Sequence, residues 1–166
     1  MTHLEDIEER LAALEALEER VRAIEELEEI KKLHRNYAYW MSNNQWEEMI
    51  ECFSDDAVAD APNTGVIKGK KAIAEMFRTR IASVKAFQKG GHLLIQPVIS
   101  VEKDTAKGYW SMYHFDWKFE SPAGEVVELF GPDVQAKYDC EYVKENGKWK
   151  FGKLKFIRPW PEANEE

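Results

Sequence analysis

The chain has 166 residues, of which 44% are hydrophobic and 12% aromatic, so it can bury the core of one domain. Its formal net charge of -8 argues against a surface that binds nucleic acid. We find no long apolar run, no metal-type Cys/His spacing and no glycine-rich phosphate loop, and therefore expect no membrane span, no metal and no nucleotide cofactor. Two isolated cysteines and a charged N-terminus without an apolar leader predict a cytoplasmic protein.

The N-terminal part of the chain carries a helical pattern. Apolar residues recur every three or four positions from Leu4 to Tyr37, which predicts one helix from Thr2 to about Met41. We interpret residues 1–26 as an oligomerisation extension whose apolar stripe a sister subunit covers in a dimer or trimer. Folding back onto its own domain is the alternative. Residues 27–157 would form the domain, and residues 158–166 a tail.

The order of the later elements defines the fold class. A short helix is predicted in "QWEEMIECF", short strands in "SDDAVADAPNTGVIKG", and a third helix in "KKAIAEMFRTRIASV". Four long strands follow, at about 91–102, 105–120, 125–143 and 148–157, joined by short hairpin connectors. We therefore expect an α+β fold in which three helices and a strongly curled antiparallel sheet form a cone around a pocket.

Three stretches of this sequence resemble the SnoaL-like branch of the nuclear transport factor two-like superfamily. They are "IKKLHRNYAYWMSNNQWEEMIECFSDDAV", "GKKAIAEMF" and "YVKENGKWKFGKLKF". Within that superfamily the chain is most similar to small cofactor-independent lyases, such as scytalone dehydratase and the bile-acid 7-alpha-dehydratases. The resemblance implies a hydrophobic pocket, but these folds also host isomerases, cyclases, dehydrochlorinases and binding modules.

The resemblance implies particular site residues. His92 falls on the catalytic histidine position of the first long strand, His114 on a second polar position of the next strand, and Tyr37 on the helix-one tyrosine. The bile-acid enzymes place a carboxylate five residues after that tyrosine, and here Ser42 stands instead. Another acid must therefore orient His92, or the proton transfers are divided differently.

Further residues are candidates for contacting the substrate. By strand alternation, His114 shares its face of the sheet with three neighbours, and a tyrosine hydroxyl could bind a substrate oxygen in a dry cavity. The third strand carries an aspartate that the resemblance places in the pocket. The candidates are Tyr39, Ser42, Trp110, Met112, Asp116 and Asp133.

Two histidines that face one apolar pocket would supply an acid and a base near neutral pH without a cofactor. We therefore expect a lyase that acts on a small hydrophobic, hydroxylated aromatic or polycyclic substrate. It would expel water or, alternatively, release formaldehyde from a hydroxymethyl group. A non-catalytic ligand-binding module and an isomerase or cyclase stay open as other functions. Apolar residues on both faces of the second long strand favour a homo-oligomer.

Overall fold

A computed structural model describes residues 3–62, 64–82, 89–117 and 134–157, with the backbone alone at 89–90, 114–117 and 134. Helices and strands both contribute, which confirms the α+β class. Residues 77–81 continue the third helix as one π-helical turn. The elements are α1 (His3–Ser42), α2 (Trp46–Ile50), β1 (Phe53–Ala61), β2 (Gly65–Lys68), α3 (Lys70–Met76), β3 (Lys89–Glu102), β4 (Thr105–Trp117), β5 (Val134–Glu145) and β6 (Lys148–Ile157).

The six strands form one mixed sheet in the order β2-β1-β6-β5-β4-β3. The strands from β3 to β6 pair antiparallel with their neighbours along the chain, as their hairpin connectors predict. β1 runs parallel to β6, with Ala59 opposite Leu154. The predicted antiparallel sheet curled into a cone is therefore wrong: the sheet is mixed and open, with β2 and β3 at its edges. A parallel pair needs a long crossover, which local turn signals do not reveal.

One face of the sheet packs against α1 and forms the core. Along β4 and β5, side chains alternate between buried and more exposed, as the two-residue period of a strand requires. The same face of β6 adds Phe151 and Leu154. The buried residues of β4 and β5 are Ala106, Gly108, Trp110, Met112, Ala136, Tyr138, Cys140 and Tyr142.

A bulge in β3 changes which residues face this core. The pairing with β4 shifts between Ile95 and Val98, and Gln96 takes a left-handed backbone angle, φ 53°. Before the bulge Leu94 packs against the core, whereas after it Ile99 takes that role. The bulge lets His92 and Ile99 contribute to one side of the sheet although they have opposite parity.

α1 has an exposed half and a docked half. Glu26 is half-buried, and its carboxylate binds Lys144 Nζ and Trp149 Nε1, both at 2.5 Å. Beyond this tie the helix buries a face that begins with Ile30. Before it, the apolar stripe from Leu4 to Ile24 is exposed. The predicted cover by a sister subunit stays a prediction, as does the division of the chain at residue 26.

The outer face of β3 and β4 also carries exposed apolar side chains. Leu93 lies opposite Tyr113 and Val98 opposite Tyr109, and all four side chains are more than 40% exposed. This pairing places two adjacent apolar contacts on the face away from α1. The apolar character predicted for that face is thus present, and an assembly that covers it remains a prediction.

We predict that the protein is a dimer or trimer, and that Leu14→Glu combined with Leu17→Glu lowers its mass in solution. Both side chains are more than half exposed, so the variant should fold, whereas two carboxylates would oppose burial of the stripe in an interface. Size-exclusion chromatography with light scattering measures the mass, and circular dichroism checks the helix. Glu18→Gln is the matched control. A monomeric wild type, or an unchanged mass in the double variant, would contradict the role given to the stripe.

Candidate functional site

The Tyr142 hydroxyl joins three elements inside the domain. It lies on β5, accepts a hydrogen bond from Trp110 Nε1 of β4 at 2.9 Å, and lies 3.0 Å from His34 Nδ1 of α1. Gly108 makes room for this ring, because a Cβ there would lie 2.9 Å from Tyr142 Cε2. All three side chains are buried. The sheet and α1 are thus connected by a polar chain in an apolar interior.

His34 is neutral in this setting. Burial lowers the pKa of its imidazole from 6.5 to about 3. The Tyr142 hydroxyl can donate its proton to His34 Nδ1 or accept one from it, according to the tautomer of the imidazole. In the described part of the chain Nε2 has no hydrogen-bond partner. Its ring is surrounded by aromatic rings, with centroids at 4.5 Å for Trp110 and 5.1 Å for Phe151.

Two more buried hydroxyls lie beside this chain. The rings of Tyr37 and Tyr138 lie with their centroids 6.3 Å apart, and burial raises the pKa of both phenols. Both hydroxyls therefore stay protonated and can donate a hydrogen bond. Burial also raises the pKa of Cys52 to about 12 and that of Cys140 in the same direction. The two thiols are free and buried, and their raised pKa keeps them protonated near neutral pH.

At the last residue of α1, Ser42 meets His92 of β3. The Ser42 hydroxyl lies 3.5 Å from His92 Nδ1 and accepts a hydrogen bond from the His92 backbone N–H at 3.3 Å. Both residues are half-buried. In the backbone register His92 lies directly opposite His114. Directly opposite positions of an antiparallel pair share one face of the sheet, and the pairing of the two side chains stays a prediction.

These groups follow one side of α1. His34 and Ser42 are eight residues apart, which is about 12 Å along a helix axis. Tyr37 and Met41 are buried between them. The helix therefore connects the neutral imidazole of the interior to the half-buried contact between Ser42 and His92 at its C-terminal end.

The structure places the other predicted residues as follows. Trp110 and Met112 are buried on the core face, as expected. Tyr39 was expected in a dry cavity, but its side chain is 62% exposed because it points away from the buried side of α1. The side chains of His114 and Asp116 are not described, and Asp133 lies outside the described residues, so their roles stay predictions.

His34 and Tyr142 are the polar residues that the sequence analysis missed. Leu33 continues the apolar spacing of α1 but is only half-buried, whereas His34 beside it is fully buried. The buried positions Ile30, His34, Tyr37 and Met41 are spaced by four, three and four residues. That spacing is typical of the buried face of a helix and could have predicted the burial of His34. A histidine is not counted among the apolar residues, so the pattern does not stand out.

Among the described residues, no group of three or more His, Cys, Asp or Glu side chains could hold a metal ion. None of the helices there combines the length and the apolar character that crossing a bilayer requires.

The fold and the placement of these residues are those of an α+β domain of the nuclear transport factor two type. A model of the SnoaL-like domain matches residues 22–155, and the chain belongs to this family. No protein of curated function matches the sequence.

Solved structures share the fold at low sequence identity. A nuclear transport factor two-like protein from Novosphingobium aromaticivorans is 20% identical, with a TM-score of 0.73 over 89% of this chain and 90% of that one. A candidate scytalone dehydratase from the same organism is 20% identical, with a TM-score of 0.65 over 85% and 92%. A LinA-type hexachlorocyclohexane dehydrochlorinase from Novosphingobium barchaimii is 20% identical, with a TM-score of 0.68 over 87% and 95%.

Tyr142→Phe should destabilise the protein by about 2–4 kcal/mol, because it leaves Trp110 Nε1 and His34 Nδ1 buried without their partner. Urea unfolding at neutral pH measures the change in the free energy of unfolding. Tyr109→Phe, at a side chain that is 54% exposed, is the matched control and should change it by less than about 0.5 kcal/mol. Equal effects of the two substitutions would show that the hydroxyl chain does not stabilise the fold.

The lowered pKa of His34 predicts a pH-dependent stability. Between about pH 3 and 6.5 the unfolded chain binds a proton at this residue that the folded protein does not. The contribution of neutral His34 to stability is therefore complete above the pKa that histidine has in the unfolded chain. As the pH falls below that value, the free energy of unfolding declines by at most about 1.4 kcal/mol per pH unit.

Urea unfolding at about pH 7 and about pH 4.5 tests this sign, because a titrating His34 adds its own loss of stability to that of the other titrating groups. His34→Gln keeps a hydrogen-bonding side chain but cannot become charged there, so it should lose less stability on acidification than the wild type. His3→Gln, at an exposed position, should behave as the wild type. An equal loss in all three proteins would rule out a buried neutral His34.

Proposed function

We propose that the protein is a cofactor-independent lyase that acts by acid–base chemistry on a hydrophobic, hydroxylated aromatic or polycyclic compound. Dehydration is the proposed reaction, and release of formaldehyde from a hydroxymethyl group is the alternative. The observation that carries the proposal is the half-buried His92, which contacts Ser42 and lies opposite His114 in the register. Histidine is the side chain best suited to moving a proton near neutral pH, and this one is only partly exposed to solvent.

Dehydration requires two proton movements and no oxidant. One group takes a proton from carbon, the electron pair forms a double bond, and hydroxide leaves the neighbouring carbon and is protonated to water. Histidine can donate or accept a proton near neutral pH. His92 and His114 are the proposed acid–base pair. Tyr37, whose hydroxyl stays protonated, would assist by donating a hydrogen bond.

The interior favours an aromatic substrate. The core face carries the rings of Trp110 and Tyr138 and the side chain of Met112, and flat ring systems pack well against such side chains. The names of two structural neighbours support an elimination: one is a candidate dehydratase, and the other is a dehydrochlorinase. Loss of water and loss of hydrogen chloride both begin with removal of a proton from carbon, so one arrangement of groups suits either.

We predict that the purified protein converts at least one member of a panel of hydroxylated aromatic, diaryl and steroid compounds. Mass spectrometry should show a product that is lighter by one water or by one formaldehyde. His92→Ala should lower the rate by about 100-fold or more, because it removes a group that moves a proton. His3→Ala, at an exposed position near the N-terminus, is the matched control and should leave the rate unchanged.

The other outcomes separate the alternative functions. A product of unchanged mass that depends on His92 would indicate an isomerase or cyclase. Binding of aromatic compounds without any product, equal in wild type and His92→Ala, would indicate a non-catalytic binding module. Product formation at the wild-type rate in His92→Ala would remove His92 from the mechanism.

A further inference from the structure

The exposed half of α1 contains one sequence pattern twice. The first copy is "IEERLAALE" at residues 7–15, and the second is "LEERVRAIE" at residues 17–25. Each apolar residue of the large type is exchanged only for another, and every glutamate is kept. The one change of character is Ala12 against Arg22. The apolar stripe and the charges beside it therefore form one kind of surface that is repeated along the helix.

The apolar residues of each copy have the spacing of a coiled-coil seam. They are spaced by four and then three residues, and in the structure each is 45% to 62% exposed on one continuous helix. They are Ile7, Leu11, Leu14, Leu17, Val21 and Ile24. The second copy begins ten residues after the first, three more than a heptad, and such an insertion overwinds a coiled coil locally. The seam therefore continues from one copy to the next.

The charges beside the seam determine the direction in which a second helix fits. In each copy an arginine precedes the middle apolar residue, at heptad position g, and a glutamate follows the last one, at position e. In a parallel coiled coil, position g of one helix lies beside the following position e of the other. Arg10 then meets Glu15 of a second copy, and Arg20 meets Glu25. An antiparallel pair would bring glutamate against glutamate and arginine against arginine, which costs free energy.

Contacts within the helix do not account for this arrangement of charges. Arg20 has apolar residues at every position three or four away, so the usual ion pairs along a helix are not open to it. Arg10 lies 3.2 Å from Asp6 on the same helix, but its side chain is still 77% exposed. Both guanidinium groups can therefore reach a carboxylate on a neighbouring helix.

We propose that residues 7–25 of α1 bind the same residues of a second copy of this chain in a parallel, in-register coiled coil. The contacts between Arg10 and Glu15 and between Arg20 and Glu25 form between neighbouring helices, whether two or three copies assemble. Because α1 continues without a break to Ser42, the domains of the associated copies lie at the same end of the coiled coil. The inference is independent of the proposed lyase function.

Disulfide formation tests the direction of the helices. Ile7→Cys and Ile24→Cys are prepared as separate proteins and oxidised mildly. The two positions lie about 26 Å apart along a helix, whereas a disulfide joins Cα atoms no more than about 7 Å apart. In a parallel, in-register coil each variant meets its own copy, so each alone should form a covalent dimer on a non-reducing gel. In an antiparallel coil position 7 would lie beside position 24, and only a mixture of the variants would be linked.

Two controls accompany this experiment. The wild type, whose Cys52 and Cys140 are buried, should form no covalent dimer. Glu19→Cys places a thiol at an exposed position on the side away from the seam and reports random collisions. Covalent dimers that appear only in the mixture, or in none of the variants, would overturn the proposal.

Charge reversal tests the proposed ion pairs. Arg20→Glu and Glu25→Arg each place like charges at the contact, so each alone should weaken self-association by about 10-fold or more. Arg20→Glu combined with Glu25→Arg restores opposite charges and should associate like the wild type. Sedimentation over a dilution series measures the dissociation constant. Glu19→Arg changes the net charge as much as Glu25→Arg does, but away from the seam, and should have no effect. Single variants as tight as the wild type, or a double variant as weak as the single ones, would contradict the parallel register.

Discussion

The hydrogen bonds of the Tyr142 hydroxyl hold α1 in a defined rotation on the sheet. Trp110 approaches this oxygen from β4 and His34 from α1, and the absence of a side chain at Gly108 leaves room for the ring. An unpaired polar group in such an interior costs about 1–3 kcal/mol. A rotation of α1 that moved His34 away from Tyr142 would leave such a group unpaired. The polar chain therefore stabilises one rotation of α1 on the sheet over the others that apolar packing alone would allow.

The position of the functional contact follows from this constraint. Ser42 lies about 12 Å further along the same helix, so fixing His34 also fixes where the helix ends. The Glu26 carboxylate fixes the start of the docked half of α1 through Lys144 and Trp149. Ser42 then meets both the ring and the backbone N–H of His92. A serine there, in place of the carboxylate that the family resemblance implies, brings an uncharged hydroxyl to the imidazole.

The sequence predicted the elements whose signals are local. Helical spacing located α1, and hairpin connectors located β3, β4 and β6. The connector predicted between β4 and β5, and the first part of the strand predicted at 125–143, lie outside the described residues. It did not reveal the parallel pairing of β1 with β6, which joins residues about a hundred positions apart. It also missed the bulge at Gln96, because strand alternation assumes an unbroken period. His92 and Ser42 were identified through family resemblance, whereas His34 was overlooked because a buried histidine on a polar stretch looks like part of the solvated face.

The contact between the Ser42 hydroxyl at the end of α1 and the ring of His92 is central to this account of the site. A double-mutant cycle on the free energy of unfolding, with Ser42→Ala, His92→Ala and both together, measures this contact most directly. We predict a coupling of about 0.5–1.5 kcal/mol, as for other side-chain hydrogen bonds, since each single substitution removes the same interaction. Effects that add to within about 0.3 kcal/mol would show that the two side chains do not interact, and would contradict this account of the site.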